Sequence, residues 1–222
     1  MIGIPCSVLF DLDGTILDSL PGIEFSVRAA FSACNLSLSE LSLRSLLGPP
    51  IRVILAAAGD ISDTDTLDAL EKAFRRSYDS EGWQMTACFP GAEFALHELK
   101  RQGHRLFVVS NKPRHISLRT LRRHGIADSF ESVVTRDSRS PAYRDKHEMI
   151  QNILFSHQLV SDNCLMVGDT MEDAVAAASA GLRFISMAHG YGDWQKASSV
   201  PADCVLHDFS QLLNLMSRDA AT

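Results

Sequence analysis

Residues 8–15 read Val8-Leu9-Phe10-Asp11-Leu12-Asp13-Gly14-Thr15, an apolar run followed at once by two carboxylates and a glycine. The apolar run predicts a short buried strand. Gly14 lacks a Cβ and tolerates positive φ, so the chain can turn sharply there. If the strand belongs to a parallel sheet, Asp11 and Asp13 lie at its open end, where α/β sheets bind ligands. Taken alone, the pattern also fits an ordinary strand with an Asp-Gly turn.

The composition is that of an average globular chain. Of 222 residues, 45% are hydrophobic and 22% are charged, and the formal net charge is −6. The negative charge argues against a nucleic-acid partner. The five cysteines contain no Cys-x-x-Cys pair, so neither a zinc site nor a disulfide framework is predicted. No apolar run approaches the roughly 20 residues that cross a bilayer, and no signal peptide is evident, so we expect a cytoplasmic protein without a membrane partner.

Residues 18–86 have the pattern of helices only, with apolar side chains at helical spacing and no credible strand. Connections between a strand and a helix usually take a few residues, so this interval is far too long to be one. We therefore predict an inserted helical domain over residues 18–86 and an α/β core over residues 1–17 and 87–222. The predicted helices of the insertion begin near Pro21, cover Ser39–Leu47 and Ile51–Ala58, and resume after Thr64 or Thr66.

Beyond residue 86, short apolar runs alternate with helical segments that end at glycine. Alternating strands and helices with right-handed crossovers predict a parallel sheet covered by helices on both faces. Together with the first strand this gives a Rossmann-like α/β fold with five parallel strands. The four further strands are predicted at Leu106–Val109, Ser132–Thr135, Cys164–Val167 and Phe184–Met187.

Polar side chains follow four of the predicted strands, and the carboxyl ends of parallel strands open on one edge of the sheet. We therefore expect these side chains to converge, although each alone could be a helix cap or a surface group. They are Asp11 and Asp13 after the first strand, Ser110-Asn111-Lys112 after the second, Lys146 beyond the third, and Asp169 with Asp173 after the fourth.

The order and spacing of these four motifs resemble the haloacid dehalogenase superfamily across essentially the whole chain. The chain is most similar to the phosphoglycolate phosphatase-like branch, which has a helical cap after the first motif. Gly48-Pro49-Pro50 in the insertion and Gly190-Tyr191-Gly192 after the last strand add to the resemblance.

The resemblance implies a magnesium-dependent phosphatase. Asp11 matches the nucleophile that forms an aspartyl phosphate, and Asp13 matches the general acid and base. Dehalogenases of the superfamily lack the second aspartate, so its presence favours phosphate esters. Mg²⁺ would be held by the side chains of Asp11 and Asp169 and by the backbone carbonyl of Asp13, an all-oxygen set that suits this ion.

The resemblance also implies which groups hold the phosphoryl oxygens. The matching residues are Thr15, Ser110, Asn111 and Lys146. Asp173 would orient Lys146 or a metal-bound water. In many relatives proline follows the lysine of the third motif, whereas His147 follows it here. Lys112 therefore remains an alternative phosphate-site lysine or a substrate contact.

The insertion is expected to select the substrate. We hypothesise that Arg52, after the Gly48-Pro49-Pro50 turn, meets a substrate carboxylate, because its planar fork matches that geometry; a surface arginine is the ordinary alternative. The predicted function is hydrolysis of a small phosphorylated metabolite such as 2-phosphoglycolate. A sugar-phosphate mutase of the β-phosphoglucomutase type and a non-catalytic relative that binds a phosphorylated ligand remain open, as does the oligomeric state.

Overall fold

The structure is a computed structural model that describes residues 7–39, 43–192 and 202–218. It consists of a six-stranded parallel sheet with helices on both faces and a helical segment between two short antiparallel strands. None of its described helices is long and apolar enough to cross a membrane. The strands are β1 (Ser7–Phe10), β2 (Leu17–Asp18), β3 (Ala87–Cys88), β4 (Arg105–Ser110), β5 (Ser132–Thr135), β6 (Cys164–Gly168), β7 (Arg183–Met187) and β8 (Cys204–Leu206). The helices are α1 (Leu20–Ala33), α2 (Ile51–Gly59), α3 (Thr64–Ser80), α4 (Ala92–Arg101), α5 (Arg114–Arg123), α6 (Lys146–Ser156), α7 (Met171–Ser179) and α8 (Phe209–Arg218).

The large sheet has the strand order β5-β4-β1-β6-β7-β8, which places β1 in its interior. Val8 and Phe10 face one hydrophobic cluster, under α4, α5 and α8, while Leu9 faces the other, under α6 and α7. This alternation explains why the strand is apolar on both faces. Phe10 pairs with Val108 of β4 and Val167 of β6, so the polar residues that follow the three strands emerge at one edge.

The predicted parallel α/β architecture is confirmed, but the predicted count of five strands was one too few. The sixth strand, β8, pairs with β7 at the edge of the sheet. Its apolar run has only three residues, and Val205 is 48% exposed, so it is shorter and less buried than the interior strands.

The helical segment, residues 20–85, is joined to the rest of the protein by two adjacent strands, β2 and β3. Strands β2 and β3 pair antiparallel, with Leu17 beside Cys88. Each has two residues, too few for a period-two pattern, and neither was predicted as a strand. Side chains from α1, α2 and α3 form most of a buried cluster that includes Phe31, Leu55 and Phe74, and Ile116 of α5 and Tyr191 also belong to it. This cluster, formed mainly by the helical segment, supports an inserted helical domain, whose boundaries remain a prediction.

One predicted helix of the insertion was wrong. In place of a helix over Ser39–Leu47, the described residues contain only a short 3-10 turn, Leu43–Leu46, while residues 40–42 lie outside the described part. Gly48 has φ of +122° and two prolines follow it, so the chain turns immediately after the 3-10 segment. Serine side chains also compete for backbone hydrogen bonds in this region, which weakens a helix.

Candidate active site

A cavity of about 610 Å³ lies between the carboxyl edge of the sheet and the helical segment. Most of the polar side chains that the sequence predicts at the strand ends line this cavity from the α/β core. Helix α3 adds Arg75 and Tyr78 to the lining. The turn at Gly48–Pro50 completes the wall. Clefts with apolar walls and a few convergent polar groups are where small ligands usually bind. The predicted residues that line it are Asp11, Asp13, Ser110, Asn111, Lys112 and Lys146.

Asp11 is fixed at the end of β1 by its backbone and by one lysine. Its N–H donates to the Val167 carbonyl at 3.0 Å, which continues the ladder with β6. Its Oδ2 lies 3.0 Å from Lys146 Nζ, whereas its buried Oδ1 has no hydrogen-bond partner among the described residues. Burial raises the pKa of Asp11 well above its usual range; Lys146 opposes that rise and neighbouring carboxylates add to it. One carboxylate oxygen is thus held while the other is left without a partner.

Lys146 is the buried cation of the site. Asp145 caps α6 by accepting the Glu148 N–H at 2.8 Å, so the helix begins directly at Lys146. Its Nζ donates to Asp173 Oδ1 at 2.6 Å, and the side chain is only 1% exposed. Burial alone would lower the pKa of Lys146, but Asp11 and Asp173 raise it above its ordinary value. The ammonium therefore stays charged, and the structure brings Lys146 to the predicted site.

Asp173 links this cation to the turn after β6. Its Oδ2 accepts from Thr170 N at 3.0 Å and from Asp169 N at 3.3 Å, while its own N–H donates to Thr170 Oγ1. This reciprocal capping box satisfies N–H groups that the first turn of α7 would otherwise leave unpaired. Asp173 therefore fixes the orientation of both Lys146 and Asp169.

Two glycine-containing loops close on Asp169. Its Oδ1 accepts from Thr15 Oγ1 at 2.9 Å, and its Oδ2 accepts from Tyr191 N at 2.7 Å. A Cβ on Gly14 would lie 2.2 Å from Asp169 Oδ2, and a Cβ on Gly190 would lie 2.2 Å from Asp169 Cβ. Only glycine permits this approach, so both motifs are explained by the same carboxylate. Burial, followed by the charge of Asp173, raises the pKa of Asp169 to about 7.

The carboxylate cluster fits a hard divalent cation. Asp11, Asp169 and Asp173 each place a carboxylate oxygen within 4.8 Å of the others. The donors are oxygens only, as Mg²⁺ requires. Asp173 pairs with Lys146 and Thr170, and Asp169 accepts from Thr15 and the Tyr191 N–H, whereas Asp11 Oδ1 has no partner among the described residues. Burial is the main cause that raises the pKa of both Asp11 and Asp169, and neighbouring carboxylates add to the rise.

Asp13 points away from this cluster and pairs with Lys112. Lys112 Nζ donates to Asp13 Oδ1 and Oδ2 at 3.0 and 3.2 Å and to the Tyr78 hydroxyl at 2.7 Å. Burial would lower the pKa of Lys112, but Asp13 and Tyr78 raise it above its ordinary value. Lys112 thereby connects Asp13 to α3, a contact that sequence spacing could not reveal.

Of the remaining residues that were predicted to hold phosphate, some line the cavity and one does not. Ser110 and Asn111 line the cavity, and Asn111 Oδ1 is buried without a partner among the described residues. Asn111 Nδ2 donates to Glu172 at 2.9 and 3.0 Å, a partner that the sequence analysis missed. Thr15 was predicted to contact phosphate, but its buried hydroxyl donates to Asp169 instead. The structure therefore corrects its placement from the phosphate to the carboxylate cluster.

Arg52 does not line the cavity, contrary to the hypothesis that it meets the substrate. Its Nη1 pairs with Asp68 at 2.5 Å and with Glu71 at 3.5 Å, because the acidic side of α3 lies next to it. Arg75 of α3 lines the cavity instead. Sequence alone offered one signal for Arg75. It stands three positions before Tyr78, so both side chains project from one face of the helix.

Tyr191 connects the carboxylate cluster to the start of the helical segment. Its hydroxyl donates to Asp18 Oδ1 at 2.9 Å and accepts from Ser19 N at 2.8 Å and Leu20 N at 3.0 Å. Burial raises the pKa of this phenol above its ordinary value, so it stays protonated. The Gly190-Tyr191-Gly192 motif was noticed in the sequence, but this bridging role was not predicted.

The fold, the cavity and the four converging motifs agree with the comparison to known families. The model of the haloacid dehalogenase-like hydrolase family matches residues 8–187, and the chain belongs to this family. The predicted superfamily, with its phosphatase-like resemblance and hydrolase class, is thus confirmed.

Individual relatives are similar over nearly the whole chain. The chain is 29% identical to "Phosphoglycolate phosphatase" of Vibrio parahaemolyticus over 221 residues, covering 96% of each protein. It is 33% identical to "Phosphoglycolate phosphatase" of Cereibacter sphaeroides over 189 residues, covering 83% of this chain and 85% of the relative. The crystal structure of a predicted phosphatase from Clostridium acetobutylicum superposes with a TM-score of 0.85 at 26% identity, covering 96% of this chain and 98% of that one.

The carboxylate cluster predicts that stabilisation by Mg²⁺ depends on pH. The pKa of Asp169 is about 7 in the folded protein, above the value near 4 of an unfolded chain. Between these values the folded state binds more protons, so without metal the free energy of unfolding falls as pH rises. Mg²⁺ binds the deprotonated carboxylates, so it should raise Tm more at about pH 8 than at about pH 5.5.

Thermal unfolding with and without Mg²⁺ at both pH values measures this difference. Asp169→Asn is the matched control, because it keeps the side-chain shape but removes the titrating charge. The Mg²⁺ effect should become small and independent of pH in this variant. Equal Tm shifts at both pH values in the unmodified protein would contradict the prediction.

Proposed function

We propose that the chain is a magnesium-dependent phosphatase that hydrolyses a small phosphomonoester through an aspartyl phosphate on Asp11. The observation that carries this proposal is the buried, partnerless Oδ1 of Asp11, whose Oδ2 is held by Lys146 at 3.0 Å. A carboxylate fixed in this way presents one oxygen to an incoming phosphorus atom. The protein would act in the cytoplasm on a small phosphorylated metabolite, and not on nucleic acid.

The first half of the reaction transfers the phosphoryl group to the protein. Asp11 Oδ1 attacks phosphorus, a bond forms between them, and the bond from phosphorus to the ester oxygen breaks. Asp13 acts here as the general acid: it delivers a proton to the leaving alkoxide, which departs as the alcohol, and a carboxylate is left on Asp13. Lys112 holds the Asp13 carboxyl in place through contacts of 3.0 and 3.2 Å.

The second half releases inorganic phosphate. Asp13, now a carboxylate, takes a proton from a water molecule that attacks the phosphorus of the aspartyl phosphate. The bond between phosphorus and Asp11 breaks, and the original carboxylate is restored. Asp13 therefore serves as the acid in the first half of the reaction and as the base in the second.

Ser110, Asn111 and Lys146 are proposed to hold the phosphoryl oxygens in both steps. All three line the cavity beside Asp11. Donors fixed in advance around a developing charge each contribute on the order of 3 kcal/mol to transition-state stabilisation. Lys146 is already fixed by Asp173, so little reorganisation is needed when phosphate arrives.

Asp11 and Asp169, with the Asp13 carbonyl, are proposed to hold Mg²⁺. The bound ion supplies positive charge that offsets the repulsion between the Asp11 carboxylate and phosphate, which is about 4 kcal/mol for unit charges 4 Å apart at an effective dielectric near 20. Thr15 and the Tyr191 backbone keep Asp169 in place through hydrogen bonds of 2.9 and 2.7 Å.

We propose that the two domains, a cap over residues 18–86 and a core over residues 1–17 and 87–222, have different roles in catalysis. The core supplies the groups that act on phosphate, and the cap supplies the wall that meets the rest of the substrate. Among the cap side chains that line the cavity, Arg75 is the cationic one in the described residues. A guanidinium there favours a substrate with a carboxylate, as in 2-phosphoglycolate.

Replacement of the nucleophile gives the primary test. Asp11→Asn keeps the size of the side chain but removes the attacking carboxylate, so release of p-nitrophenol from p-nitrophenyl phosphate with Mg²⁺ should fall to background. Lys72→Met, a change on the outer side of α3 away from the cavity, should leave activity unchanged. No release by the unmodified protein with any divalent cation would favour the phospho-ligand-binding alternative. Phosphate movement between positions of a sugar phosphate would favour the mutase alternative.

Replacement of the proton-transfer residue should separate the two halves of the reaction. In Asp13→Asn the first half survives with p-nitrophenyl phosphate, because p-nitrophenolate leaves without a proton. Water attack then lacks its base, so steady turnover should fall by about 10²–10⁴-fold. Rapid mixing should therefore show a burst of p-nitrophenol equal to the enzyme concentration. A uniformly slow reaction without a burst would assign Asp13 another role.

Arg75→Gln tests the proposed substrate class. Removal of a charged hydrogen bond of about 1.5–3 kcal/mol should raise KM for 2-phosphoglycolate by about tenfold or more. The KM for ethyl phosphate, which lacks the carboxylate, should change little. Arg76→Gln, next to it on α3 and exposed, and Arg52→Gln are matched controls that should affect neither substrate. Equal losses with both substrates would reject carboxylate recognition by Arg75.

A further inference from the structure

A second group of metal-ligand side chains lies where the helical segment rejoins the core. Cys88 belongs to β3, Glu93 to the first turn of α4, and His124 caps the end of α5. One ligand atom from each lies within 4.8 Å of the other two. None of the three contributes to the phosphatase site proposed above.

The backbone fixes the orientation of the His124 ring. Its Nε2 lies 3.1 Å from the Thr86 carbonyl oxygen, which can only accept a hydrogen bond. Nε2 therefore carries a proton, and in the neutral ring Nδ1 carries the lone pair. Nδ1 faces Glu93 Oε1 at 3.4 Å. In its neutral form, this tautomer of the ring directs the Nδ1 electron pair toward Glu93 and Cys88.

We propose that Cys88, Glu93 and His124 form a binding site for Zn²⁺ or a similar borderline-soft divalent cation. Three electron-pair donors of different types converge there, and a cation would satisfy all of them at once. A metal-bound imidazole usually donates its other N–H to a carbonyl or a carboxylate, which is the arrangement of His124 and Thr86. Three protein ligands leave the fourth position of a tetrahedral ion to water.

The three side chains need to move only a short distance to bind a zinc ion. Zinc bonds of about 2.0–2.3 Å place neighbouring ligand atoms roughly 3.5 Å apart. The three ligand atoms all lie within 4.8 Å of one another, so no pair has to approach by more than about 1.3 Å. The Glu93 side chain is 52% exposed and the His124 side chain 16% exposed, so the carboxylate can rotate and an ion can enter from solvent.

The donor set distinguishes this site from the carboxylate cluster. A thiolate and an imidazole favour zinc over Mg²⁺, whereas the all-oxygen cluster of Asp11 and Asp169 has the opposite preference. The sequence analysis found no zinc spacing because the ligands come from three separate elements. A bound ion would tie β3, the strand through which the helical segment returns, to α4 and α5.

Cobalt(II) binding tests the proposal on the full-length reduced protein in excess Mg²⁺. Co²⁺ bound to Cys88 should produce the near-ultraviolet charge-transfer band of a cobalt–thiolate bond, and Zn²⁺ should displace it in a 1:1 ratio. Zn²⁺ at a hundredfold excess over its Kd should also raise Tm by roughly 5–10 °C.

Variants separate this site from other thiols and from the active site. Cys88→Ser should abolish the charge-transfer band, and Glu93→Gln and His124→Gln should each weaken Zn²⁺ binding by at least tenfold. Cys204→Ser, which removes another partly exposed thiol, should change neither property. If Cys88→Ser fails to fold, the band in Glu93→Gln and His124→Gln decides the question.

Several outcomes would overturn the site. These are the absence of a thiolate band, a band that persists in Cys88→Ser, and Zn²⁺ affinity that is the same in all variants. They would leave His124 as a protonated partner of Glu93. Phosphatase activity in Mg²⁺ is measured separately and has no bearing on the cobalt spectrum, so the two proposals can fail independently.

Discussion

The structure depends on three buried carboxylates that face a single buried ammonium. Asp11, Asp169 and Asp173 are each less than 5% exposed, and Lys146 lies 3.0 Å from the first and 2.6 Å from the third. Buried charges are costly unless they are paired and hydrogen-bonded. Lys146 and the backbone N–H groups meet part of that cost, and the remaining negative charge creates a place for a divalent cation. The chemistry proposed for the site follows from this imbalance.

The pairing of the strands and the path of two loops bring these charged side chains together. The register of β1 with β4 and β6 sets the depth of Asp11 and Asp169, because Phe10 is level with Val108 and Val167. The approach of the two loops to Asp169 then depends on residues without a Cβ at 14 and 190. Backbone geometry, more than side-chain choice, therefore determines how tightly the carboxylate is enclosed.

The features that could be predicted from the sequence are those that show in a short stretch of residues or in the order of motifs along the chain. Buried parallel strands have continuous apolar runs, and the order of four polar motifs identified most of the polar side chains that line the cavity. The failures concern partners that sequence does not show. Arg52 was assigned to the substrate because of its position after a turn, but Asp68 and Glu71 hold it elsewhere. Thr15 was assigned to phosphate, but the nearest strong acceptor is Asp169. The edge strand β8 and the two-residue strands are too short to leave a pattern.

Asp13, the residue proposed to transfer protons, is connected to the helical segment. Lys112 contacts Asp13 of the core and the Tyr78 hydroxyl of α3 through the same Nζ. The position of Asp13 is therefore linked to the helix that also carries Arg75. Asp11, Lys146 and Asp173 are fixed by charge pairs within the core, so their positions tolerate little change. In the helical segment, Tyr78 is held by Lys112 and Arg75 lies 3.6 Å from Glu71, while the other lining residues are mostly apolar and held by packing. We therefore expect differences in substrate among proteins with this core to arise mainly from the helical segment, whose apolar lining can change without disturbing the charge pairs of the core.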